Sequence, residues 1–152
     1  LNALMREVLT LYESHASWFQ IEFAEDIPYF VGDPAQLRQV MHTLLQNAQD
    51  SLADVGEPRI TVRSERTESG IRVTITDDGA GFPETLMKRA FEPYVTTKPK
   101  GTGLGLVIVK KIVEEHNGTV GISNISPHGA RVTLTFSTQA AQKTAPRAAA
   151  NA

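Results

Sequence analysis

Two pairs of short runs with a period of two constrain this chain more than any other feature. In "RITVRSER" and "IRVTITD", apolar residues take every second place (Ile60 and Val62, then Ile71, Val73 and Ile75), with Thr67 to Gly70 between the runs. The pattern returns in "TVGISNI" and "ARVTLTFS". Successive side chains of a strand point to opposite faces, so each pair predicts a hairpin with one apolar face. That face has to be covered. Leu37, Val40, Met41, Leu44, Leu45, Ala48 and Leu52 recur at helical spacing along "PAQLRQVMHTLLQNAQDSLA", and Asp33-Pro34 supplies an N-cap and a first-turn proline, so a helix runs from there to about Ala53. A second helix spans about Gly105 to His116, and a third enters over Leu1 to His15 with Leu4, Val8, Leu11 and Tyr12 on one face. "WFQIEFAED" alternates as one more strand, and Asp78 to Gly103 is irregular. The expected fold is α+β: a two-layer α/β sandwich in which a mixed, mostly antiparallel sheet carries three helices on one face. The domain is expected over residues 1–137, and the alanine-rich residues 138–152 are expected to be a disordered tail.

Composition narrows the class. The chain has 152 residues, 41% of them hydrophobic and 21% charged, which is ordinary for one soluble domain. Its net charge of −2, without a basic block, gives no support to a nucleic-acid partner. There is no cysteine, which excludes disulfides, thiolate metal sites and cysteine nucleophiles and is compatible with a reducing compartment. No apolar run approaches the roughly 20 residues that span a bilayer, so no membrane contact is expected. The chain opens at Leu1, without a methionine and inside a helical pattern, and reads as a piece of something longer.

Three places carry chemistry. In "KPKGTGLGLVIVKKIVEEH", Gly101, Gly103 and Gly105 fall on alternate positions just ahead of a helix. A dinucleotide fingerprint needs G-x-G-x-x-G directly after a strand, but Leu106 takes the sixth place here; a P-loop needs Gly-Lys-Ser/Thr, but Leu106 and Val107 follow Gly105. What remains is the physics of small residues and a helix N-terminus, both of which suit an anion, against the alternative of a plain flexible loop. The second place is "TDDGAGF": Asp77 ends the alternation of its strand, where a carboxylate can accept from an exocyclic amine such as that of adenine, although Asp and Gly are also common turn residues. The third is Asn47, at the edge of the apolar stripe with Gln36, Thr43 and Asp50 along the same border. Its amide oxygen can ligate Mg²⁺; an interfacial asparagine without a ligand is the alternative.

Taken in order, "LLQNAQDSL", "DDGAGF", "FEPYVTTK" and "GTGLGLVIVKKIVEEHNGTV" resemble the ATP-binding catalytic domain of sensor histidine kinases, within the ATPase fold shared with gyrase and the heat-shock chaperones. "FEPYVTTKPKGTGLGL" and "VKKIVEEHNG" are most similar to the nitrogen-regulation branch. The resemblance covers about Val31 to Phe136 and implies ATP and Mg²⁺ as cofactors. It implies that Asn47 ligates Mg²⁺, with Asp50 nearby, and that Asp77 reads the adenine amine with Gly79 and Gly81 lining the base. It implies a mobile lid over the nucleotide, anchored by Phe91, which contains Thr96, Thr97 and Lys98 and from which Lys98 would reach the terminal phosphates, a solvated charge being the alternative. Gly101, Thr102, Gly103, Leu104 and Gly105 would hinge that lid and cradle phosphates, and Thr133 would assist Asp77 through water.

The family usually has Asn or His four residues before the Mg²⁺ asparagine, and its ATP-hydrolysing members have a glutamate base there. Here the position is Thr43, whose hydroxyl cannot serve as a base near neutral pH, so phosphotransfer is favoured over hydrolysis. Histidine phosphotransfer needs an acceptor histidine followed by an acidic residue. His15, His42, His116 and His128 are followed by Ala, Thr, Asn and Gly, and His116 reads instead as a cap on its helix. The acceptor is therefore expected on an upstream dimerisation domain, with a response regulator as an indirect partner, the full kinase a homodimer and this piece monomeric and cytoplasmic. Two other readings stay open: an ATPase that uses ATP as a conformational clamp, and a silent nucleotide-sensing module.

Overall fold

The computed structural model describes residues 1–52, 56–93 and 105–138. Helix α1 (Asn2–Leu9) continues as a 3-10 helix (Thr10–Trp18) into strand β1 (Phe19–Phe23). Then follow α2 (Pro34–Ser51), β2 (Ile60–Arg66), β3 (Gly70–Asp77), the short α3 (Glu84–Met87), α4 (Gly105–Glu115), β4 (Gly118–Asn124) and β5 (Ala130–Ser137).

The five strands form one sheet in the order β1-β2-β3-β5-β4. Both expected hairpins are present as antiparallel pairs, while β1 joins β2 in parallel, which requires the α2 crossover between them. Register sorts the faces. Ile60, Val62, Ile71, Val73, Leu134 and Phe136 are buried under α1, α2 and α4. On the other face, Thr61, Thr76, Arg131 and Ser123 form one cross-strand row, and Arg63, Thr74, Thr133 and Gly121 the next. A face this polar gains nothing from a second helical layer, so the sandwich stops at two.

Asp33 caps α2 by accepting from the backbone N–H groups of Ala35 and Gln36, at 2.9 and 3.3 Å, and Pro34 follows as the first helical residue. The helix closes at Ser51, two residues before the expected end, as the Leu52 N–H turns back to the Gln49 carbonyl. Helix α4 ends one residue early, and Asn117 then takes a left-handed φ of 58°. His116 does more than cap it: Nε2 accepts from the Asp33 N–H at 3.0 Å while Nδ1 lies 2.7 Å from the Ile112 carbonyl. That pattern needs a neutral ring with its proton on Nδ1, so His116 ties the start of α2 to the end of α4 and is not a charge on the helix dipole.

Three expectations are corrected. Leu11 is 72% exposed, because Met5, Val8 and Tyr12 take the inward places, with Tyr12 set against Phe19 and its hydroxyl 2.9 Å from His42 Nδ1. The irregular stretch after Asp78 contains α3, started by Pro83. Thr138, assigned to the tail, is buried, and its N–H reaches the Ser69 carbonyl at 3.3 Å. Residues 139–152 lie outside the described residues.

Candidate functional site

The site is built where the last turn of α2 passes over the end of β3. The alternation that puts Ile71, Val73 and Ile75 into the core carries Asp77 to the same side, at the point where the sheet runs out. Asp77 is 7% exposed. Its Oδ1 accepts from the Gly79 N–H at 3.0 Å, while the Ser51 hydroxyl, 2.8 Å from the Ala48 carbonyl, and the Ala130 N–H are donors on the same side of the carboxylate. Burial pushes its pKa above the ordinary value, with Asp78 adding to the rise, while those three donors pull it back.

Two glycines near Asp77 are required by close approach. A methyl group at Gly79 would lie 2.8 Å from the Ser51 carbonyl oxygen, 3.0 Å from Ser51 Oγ and 3.1 Å from Asp77 Oδ1. One at Gly129 would lie 2.2 Å from the Asp77 carbonyl oxygen. Gly81 is needed for its conformation, a φ of 84°, and faces Asn124 rather than Asp77. Asn124 holds this segment from both sides: Oδ1 accepts from the Phe82 N–H at 2.7 Å and Nδ2 donates to the Phe82 carbonyl at 2.9 Å. His128 Nδ1 is 3.2 Å from the Gly79 carbonyl. The β4–β5 loop thus braces the Asp77–Phe82 segment.

The other end of the site lies along the same helix. A methyl group at Gly105 would meet Thr43 Cγ2 at 3.2 Å and Asn47 Nδ2 at 4.0 Å, so the N-terminus of α4 rests on Thr43 and Asn47. Phe91 lies against α4 further on, its ring 5.5 Å from Lys110 Nζ. Among the described residues, no group of three or more acidic, histidine or cysteine side chains could hold a metal. A single amide fits a cation that brings phosphate and water as its other ligands.

The structure therefore brings Asp77, Gly79 and the last turn of α2 together, and joins Asn47, Thr43 and Gly105. Two expected site residues stand apart. Thr133 pairs with Thr74 and Gly121, three positions from Ala130, which is the residue opposite Asp77; it lies on the polar outer face and cannot reach the carboxylate. Asp50 is exposed and accepts from Gln46 at 3.0 Å, and its charge adds, after burial, to raising the Tyr12 pKa. Thr96, Thr97, Lys98, Gly101, Thr102, Gly103 and Leu104 lie outside the described residues. Ser51 and Asn124 were missed. Ser51 had a signal, being four residues beyond Asn47 on the same edge of a helix. Asn124 had none, since its partner is 42 residues away.

Comparison with known proteins defines the class. Residues 32–140 match the family of histidine kinase-, DNA gyrase B- and HSP90-like ATPases, and the chain belongs to it. It is 45% identical over 107 residues to an NtrY-like sensor histidine kinase of Rickettsia bellii, covering 70% of this chain and 18% of that one. The nucleotide-free catalytic domain of histidine kinase ThkA superposes with a TM-score of 0.78 at 32% identity, covering 91% of this chain and 92% of that one. A structure of ThkA in complex with the response regulator protein TrrA matches with a TM-score of 0.74 at 28% identity, over 94% of this chain and 41% of that one. Within the family, then, the chain is a relative of the catalytic, ATP-binding domains of two-component sensor kinases. It spans 17–30% of the length of the curated relatives it matches.

Proposed function

We propose that the chain binds ATP with Mg²⁺ along the edge of α2 and presents the γ-phosphate to a histidine on a dimerisation and acceptor domain of the same kinase. One observation carries this reading. Asn47 and Ser51 are four residues apart on α2, about 6 Å along its axis, so the amide beside the α4 N-terminus and the turn that passes beside the buried Asp77 carboxylate lie along one helix edge. That is a setting for a base at one end and phosphates at the other.

In this reading Asp77 accepts from the adenine amine, and Gly79 keeps the floor beside it clear. Asn47 would hold Mg²⁺, which supplies charge neutralisation across the phosphates. The positive end of α4 faces the same phosphates. Thr43 touches Gly105 but offers no base, which favours transfer over hydrolysis. The protein's part is to position and orient. No helix among the described residues is long and apolar enough to cross a membrane, which is compatible with a cytoplasmic domain feeding a response regulator indirectly.

Titration with ATP and GTP, each with and without Mg²⁺, tests the reading. ATP is expected to bind more tightly than GTP, and Mg²⁺ to strengthen it. Asp77→Ala removes a charge-assisted hydrogen bond of about 1.5–3 kcal/mol, a loss of about tenfold to a hundredfold in ATP affinity. Equal affinity for both nucleotides, or an Asp77→Ala variant that binds ATP as wild type does, overturns it.

A further inference from the structure

Asn124 is the last residue of β4 and is exposed, yet its side chain pairs with the Phe82 backbone as a neighbouring strand would. Oδ1 accepts from the Phe82 N–H at 2.7 Å, and Nδ2 donates to the Phe82 carbonyl at 2.9 Å. One amide thus satisfies both backbone groups of a residue 42 positions away. Gly81 lets the chain come this close: it has a φ of 84°, and a methyl group there would lie 2.7 Å from Asn124 Oδ1.

This clasp closes the far end of a short span that begins at Asp77. At the near end Asp77 is held in the sheet, opposite Ile60 on β2 and Ala130 on β5. Between the two ends the Gly79 N–H donates to Asp77 Oδ1 at 3.0 Å, and His128 Nδ1 lies 3.2 Å from the Gly79 carbonyl. With glycine at 79 and 81, the span could take many courses if only one end were fixed. Fixing both ends leaves one. We propose that Asn124 is a positioning residue for the base: by anchoring Phe82 it fixes the path of residues 78–81, and so holds the Asp77 carboxylate and the Gly79 floor in the arrangement that accepts an amine. The proposal rests on the ATP reading above. It adds that a residue on the edge strand β4, outside the stretches that mark the nucleotide site in the sequence, sets how well Asp77 tells a 6-amino from a 6-oxo purine.

A double-mutant cycle tests it on the whole chain, with ATP and GTP as the probes, each with and without Mg²⁺. Asn124→Ala is expected to weaken ATP binding by about threefold to tenfold and to leave GTP binding unchanged. The gain from Mg²⁺ should stay the same, because Asn47 and α2 are untouched. In the Asp77→Ala background the same change is expected to have no effect on ATP. An equal loss in both backgrounds, or a Mg²⁺ gain that falls in step with ATP affinity, means that Asn124 only holds the fold together, and overturns the proposal. So does an ATP affinity unchanged by Asn124→Ala where Asp77→Ala weakens it, a result that leaves the ATP reading standing. If Asp77→Ala itself has no effect, both fall together. Should Asn124→Ala fail to fold, Asn124→Ser keeps a polar group on the strand edge but is too short to reach both Phe82 groups. It is expected to show the same split between ATP and GTP, and equal losses for the two overturn the proposal.

Discussion

Asp77 shows how one residue serves structure and chemistry with opposite signs. Its pKa is raised above 3.8, first by burial. A carboxyl group that holds its proton more tightly when folded stabilises the fold most at low pH, and that contribution is lost as pH rises from 3.8 through the raised value. The acceptor role needs the charged form, so ATP affinity should rise across the same interval. We expect the stability difference between wild type and Asp77→Asn to move against the wild type with rising pH, while its ATP affinity moves in favour. Urea unfolding and nucleotide titration at matched pH values read the two signs; parallel movement would refute the assignment. Asn47 separates in a different way. Asn47→Ala should leave the preference for ATP over GTP intact while removing most of the gain from Mg²⁺, and a variant that keeps the whole Mg²⁺ effect would reduce Asn47 to a helix-edge residue.

Helix α2 is the element on which the rest depends. It closes the parallel β1–β2 connection, covers the sheet, and carries Thr43, Asn47 and Ser51 on one edge. Its start is fixed twice, by the Asp33 side chain on Ala35 and Gln36 and by the Asp33 N–H on His116. Asp33→Ala removes the side-chain cap alone and should lower stability by about 0.5–2 kcal/mol. Because the His116 contact survives, nucleotide affinity at 25 °C should hardly change. A shifted urea midpoint with constant affinity is the expected result; a large loss of affinity would mean that the cap also sets the position of the site.

At the scale of the molecule, the proposed reading has the fold hold an activated phosphate donor without a suitable acceptor of its own. None of the four histidines is followed by an acidic residue, and Thr43 cannot activate water. With γ-labelled ATP the chain alone should neither label itself nor release phosphate at a useful rate. An acceptor domain supplied as a separate polypeptide should become labelled in an acid-labile form, in low yield, since tethering normally raises effective concentration to the millimolar range. Label on this chain alone, or brisk phosphate release, would move the assignment to a clamp-type ATPase.

The local elements were legible because their causes are local. Alternation gives the hairpins, Asp33-Pro34 starts α2, and the spacing within each motif marks Asn47, Asp77 and Gly105. Parity alone already argued against Thr133: with Leu134 and Phe136 turned inward, the residue before Leu134 turns outward, because a one-residue step along a strand changes face. Tertiary structure decided what no local pattern encodes. It brought Ser51 and Ala130 to Asp77, set Asn124 on Phe82, and laid the start of α4 on Asn47. Each of these joins residues far apart in the chain, and their meeting is fixed by strand register and helix packing once the apolar face of the sheet is covered.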